Sequence, residues 1–100
     1  MSKYVLSFRS KKDRASNAEQ EAAWGQWFEQ IGGSVVDWGS RVGRAATLGA
    51  GDAIGGTVLS GYIIVEADRL SAASAVAQGC PALSYGGGVE VGETVENPSS

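Results

Sequence analysis

Residues 57–66 read TVLSGYIIVE, and the alternation of their apolar side chains decides the fold. Leu59, Ile63 and Val65 occupy one parity, while Val58, Tyr62 and Ile64 occupy the other. A strand presents successive side chains to opposite faces, so a run apolar on both parities expects cover on both sides. Whatever surrounds this strand has to supply two layers.

The flanking chain supplies one of them. Upstream, residues 3–9 place Tyr4, Leu6 and Phe8 on one side and Val5, Ser7 and Arg9 on the other, a period-two strand. Ser16-Asn17-Ala18-Glu19 has the spacing of a capping box, in which a hydroxyl and a carboxylate satisfy amides at a helix start. Trp24, Trp27, Phe28 and Ile31 then recur at helical spacing, and Gly32-Gly33 predicts a left-handed stop. Residues 34–42 suggest a second strand, with Val36, Trp38 and Val42 alternating against Asp37, Gly39 and Arg41. Downstream of the two-faced strand, Asp68 is placed to cap a second helix whose narrow stripe is Leu70, Ala73, Val76 and Ala77. Gly79 and Pro81 end it, and Val89, Val91 and Val95 share a face of a fourth strand.

The order βαββαβ predicts an α+β, ferredoxin-like domain over residues 1–96, with residues 97–100 as a disordered tail. Right-handed crossovers put both helices on one face of a four-stranded antiparallel sheet. The other face then carries Tyr62 and Ile64 toward water as part of a patch around the largest that monomers ordinarily leave bare. A second copy meeting it through a two-fold axis covers it, so the expectation is a homodimer whose sheets pair into a dimeric α+β barrel.

Composition narrows the partners. A net charge of −3 opposes nucleic-acid binding. Half of the basic residues fall between Arg9 and Arg14, but no aromatic interleaves them for base stacking, so this reads as a solvated loop. The chain has no histidine, which removes the usual metal ligand, the usual neutral-pH base and every Ser-His or Cys-His pair. Its one cysteine, Cys80, excludes an internal disulfide and a multi-cysteine metal site; it reads as a buried helix-end thiol. The opening residues hold only a short apolar run, too short for a signal peptide or a membrane span, so the reading is cytoplasmic with no membrane partner. No metal and no cofactor are expected.

The glycine-rich residues 47–57, TLGAGDAIGGT, invite a phosphate-loop reading. That loop needs a lysine after the glycines and a helix to follow, and here neither occurs. The stretch reads as a connection between the second and third strands.

Several of these segments together resemble the YCII-related (DGPF) family of the dimeric α+β barrel superfamily. They are KYVLSFR, AAWGQWFEQIG, VVDWG, GYIIVEADRLSAASAVAQGCPAL and GGGVEVGET, spanning residues 3–94. The most specific pieces are residues 61–68 and 79–83. The resemblance implies the paired ferredoxin-like fold and, for some relatives, a link to breakdown of chlorinated hydroquinones. A His–Asp pair proposed as catalytic in one branch has no counterpart here, because histidine is absent. Trp38 stands where relatives often carry the middle glycine of Asp-Gly-Gly, and Ser40-Arg41-Val42-Gly43 replaces the residues that often follow.

Four residues are candidates for chemistry. Asp37 is the candidate base; Arg41, on the same strand parity, and Arg9 are candidate anion or oxyanion partners. Tyr62 offers a phenol to a ligand or to an interface. Trp24 and Trp27 read as core rather than as a ligand platform. The leading functional reading is a homodimer that binds a small aromatic or anionic metabolite in a cleft between sheet and helices. The alternatives are a cofactor-independent lyase, isomerase or dehydrochlorinase-type enzyme using Asp37 as base, and a purely structural interaction protein.

Overall fold

The computed structural model describes residues 1–11, 17–49 and 56–95. Four strands and two α-helices follow one another as β1 (Ser2–Lys11), α1 (Ala18–Ile31), β2 (Val35–Arg41), β3 (Thr57–Ala67), α2 (Leu70–Ala77) and β4 (Gly88–Glu93). Short 3₁₀ turns at Gly32–Ser34 and Pro81–Ser84 close the two helical connections. All pairings are antiparallel, in the order β2-β3-β1-β4, so the two central strands are the most apolar ones. This is the expected α+β, ferredoxin-like arrangement.

One parity of the central strands makes the core. Tyr4, Leu6 and Phe8 of β1 lie against Ile63, Val65 and Ala67 of β3, with Trp27 and Ile31 of α1 and Ala73 and Ala77 of α2 above them. Both helices therefore share one face. The domain measures 37 × 34 × 21 Å, the short dimension being one sheet plus one helix layer. The opposite face holds Val5, Ser7 and Arg9 of β1 across from Ile64, Tyr62 and Leu59 of β3. Leu59 and Tyr62 are each 37% exposed there.

Leu59 is on that face because of a register shift. Phe8 pairs with Gly61 but Arg9 pairs with Leu59, so Ser60 is an extra residue in β3. The bulge reverses parity below it, and Leu59 leaves the side of Ile63 and Val65 where strict alternation puts it. β2 is more irregular. Its five residue steps from Val35 to Ser40 match only three on β3, from Val65 to Tyr62. In consequence Val35, not Val36, packs on the core, and Val36 is exposed.

Several local expectations change at the element ends. Asn17 caps α1, its side chain accepting the Gln20 N–H at 2.9 Å, while Ser16 lies outside the described residues. Gly32 is right-handed (φ −51°), and the chain leaves α1 through a 3₁₀ turn rather than a left-handed stop. Arg69, not Asp68, occupies the N-cap of α2, with no side-chain cap bond. β4 ends at Glu93, so Val95 lies beyond it and is exposed. The glycine-rich stretch does fall between β2 and β3, although residues 50–55 of it, like the tail 97–100, lie outside the described residues.

Candidate functional site

The cleft begins with the pitch of α1. Glu21, Trp24, Gly25 and Phe28 fall at i, i+3, i+4 and i+7, one stripe of the helix. They overhang the sheet beside the deeper stripe that carries Trp27 and Ile31 into the core. Below them are Phe8 and Ser10 of β1, Ser60 and Gly61 of β3, and Trp38 and Arg41 of β2. The cleft has a volume of about 410 Å³, in the range of small-molecule pockets.

The walls are aromatic and touch one another. Phe8 meets Trp24 edge-on with ring centroids 5.0 Å apart, Trp24 meets Phe28 at 5.6 Å, and Phe28 meets Trp38 edge-on at 5.4 Å. These are the separations at which ring pairs attract beyond their area burial. Trp38 reaches Phe28 because of the way β2 is bent. The Asp37 carboxylate Oδ1 accepts the Gly39 N–H at 2.7 Å, and Gly39 takes φ +60°. A Cβ at Gly39 would overlap the Tyr62 carbonyl, so only glycine fits this close approach. The turn spends one of the two extra residues of β2 and turns the Trp38 indole toward α1.

Opposite this closure, the Arg41 Nη2 donates to Glu21 Oε1 at 3.2 Å, a second link between β2 and α1. The side chains are 82% and 53% exposed, so water screens the pair and its contribution is small. The cleft is thus an aromatic slot with one opposed charge pair at its mouth and the hydroxyl-bearing residues Ser10, Ser40 and Ser60 along its sheet side.

The four sequence candidates separate. Arg41 borders the cleft; β3 also reaches it at Tyr62, but pairing with Ser7 puts the Tyr62 side chain on the open face of the sheet. Asp37 does not line it; its carboxylate is exposed and engaged with Gly39. Arg9 lies on the open face of the sheet, where Nε donates to Thr57 Oγ1 and Nη2 to the Thr57 carbonyl, each at 3.0 Å. Trp27 is core as expected, whereas Trp24 is half-buried and also forms a cleft wall. Sequence reasoning did not single out Glu21, Gly25, Phe28 or Trp38 as site residues. The signal was present in the helical spacing of the first three. Trp38 was not legible, because the bulged turn that aims it has no simple pattern.

Cys80 is buried, and burial pushes its thiol up to about 11 although a backbone hydrogen bond with Ala82 pulls the other way. Among the described residues no group of three or more Cys, Asp and Glu side chains is placed to hold a metal ion. Among the described residues no helix is long and apolar enough to cross a membrane. Comparison of the chain with family models, with curated proteins and with solved structures finds no match.

Proposed function

We propose that the chain is a YCII-related homodimer that binds a small aromatic metabolite in the cleft between α1 and the sheet. The observation that carries this is the continuous aromatic wall of Phe8, Trp24, Phe28 and Trp38 around a volume of about 410 Å³. Flat apolar ligands are held by such walls through area burial and ring contacts. The open sheet face, with Val5, Leu59, Tyr62 and Ile64, is what a second copy would cover in a dimeric α+β barrel. A cytoplasmic location goes with this reading.

Gly25 supplies the test. It lies on the cleft stripe of α1, and a Cβ built there meets nothing within 4 Å. Gly25→Leu therefore puts a side chain into empty space and replaces a poor helix former by a good one, worth roughly 1 kcal/mol. The expected result is an unchanged or raised Tm together with loss of tryptophan-fluorescence quenching by naphthoate and its neutral analogue naphthamide. A Gly25→Leu protein that binds these probes as well as the parent would overturn the cleft as the binding site.

A further inference from the structure

The cleft has a chemical polarity that its shape alone does not require. Its aromatic rings are mutually in contact, at centroid separations of 5.0–5.6 Å along Phe8, Trp24, Phe28 and Trp38. Rings that encircle an organic cation must stand apart around it. These form one surface, suited to a flat ring laid along it. At the mouth stand Arg41 and Glu21, the cation and the anion among the described lining residues.

We propose, resting on the cleft reading above, that the ligand is a planar aromatic monocarboxylate whose carboxylate takes Arg41 from Glu21. A guanidinium is a planar fork that matches a carboxylate through two parallel N–H···O bonds. The Glu21 contact is one bond of 3.2 Å between largely exposed groups, so a ligand displaces it at little cost. Glu21 keeps a favourable position after Arg41 leaves it, because it lies in the first turn of α1, where the helix dipole favours an acid. Once the ring covers the aromatic wall, the Arg41 bond to the ligand is partly withdrawn from water and strengthens. A dianionic phosphate is less well served, since Glu21 stays beside it and Arg41 is the one cation among the described lining residues.

Titration of the full chain with naphthoate and naphthamide, followed by tryptophan fluorescence, tests this. Charge-assisted hydrogen bonding predicts that naphthoate binds about tenfold tighter or more. Arg41→Gln should erase that preference while naphthamide affinity stays constant. Glu21→Gln should tighten naphthoate binding severalfold by removing the competitor, again without changing naphthamide. Equal binding of the two probes to the parent protein would overturn the carboxylate assignment and leave the cleft standing. Binding of neither probe would overturn the cleft reading and this inference with it.

Discussion

Asp37 Oδ1 accepts the Gly39 N–H, and this bond sets the direction of the intervening Trp38. An asparagine retains the accepting oxygen and an alanine does not. Asp37→Ala is expected to lower stability by roughly 0.5–1.5 kcal/mol and to weaken naphthoate binding, while Asp37→Asn keeps both near the parent values. A general base behaves differently, since Asn and Ala would then be equally inactive. Denaturation midpoints and probe titrations on the two variants separate the roles. Cys80 carries a second residue-scale expectation. Burial favours its neutral thiol, so the folded pKa, about 11, lies above the ordinary value of 9.0. The stability this lends is fully present below pH 9.0 and is lost as the pH rises toward 11. Unfolding free energies from denaturant titrations across that interval should fall by about 1 kcal/mol per pH unit from this group, and Cys80→Ala should flatten the slope. Below pH 9.0 the native thiol should resist alkylation until the chain unfolds.

Helices α1 and α2 are held in different ways. α1 has an acceptor at its N-cap, two acids in its first turn and a dense aromatic side. α2 is only eight residues long, has no side-chain cap bond, and stays through Ala73 and Ala77 against the sheet. Asn17→Ala should therefore cost about 1 kcal/mol, a fall in Tm of roughly 4–8 °C for a domain of this size. Asp68→Ala should change stability by no more than about 0.5 kcal/mol, because Asp68 stands outside the cap. Thermal melts of the two variants side by side check the contrast. The same difference governs what could be read in advance. Periodicity exposed all four strands and both helices, because the buried set Tyr4, Leu6, Phe8, Ile63 and Val65 alternates without interruption. It misplaced Leu59 and Val36, where extra residues in β3 and β2 reset the parity. Bulges depend on the partner strand. A chain read alone marks them only by a glycine within a strand, here Gly61 beside Ser60 and Gly39 in β2, which does not say which way parity is reset. The cleft was legible only as a stripe on α1, since its other wall is made by those same irregular segments.

For the whole molecule, a slab 21 Å deep with helices on one side leaves Val5, Leu59, Tyr62 and Ile64 on the other. Burial of this patch by a second copy predicts a particle of twice the 10.3 kDa chain mass in light scattering. Leu59→Glu with Ile64→Glu places charges on that face and should return the mass to a single chain while helical circular dichroism persists. A parent protein that already runs as a single chain at micromolar concentration would refute the homodimer. The irregular β2 bears on how far such association proceeds. Unpaired backbone along a straight outer strand is a template on which further chains add without limit. Here that margin is kinked twice within seven residues and cannot offer a regular ladder. Growth by strand addition is thereby discouraged on that side, and the proposed two-fold pairing through the broad surface would close on itself rather than propagate.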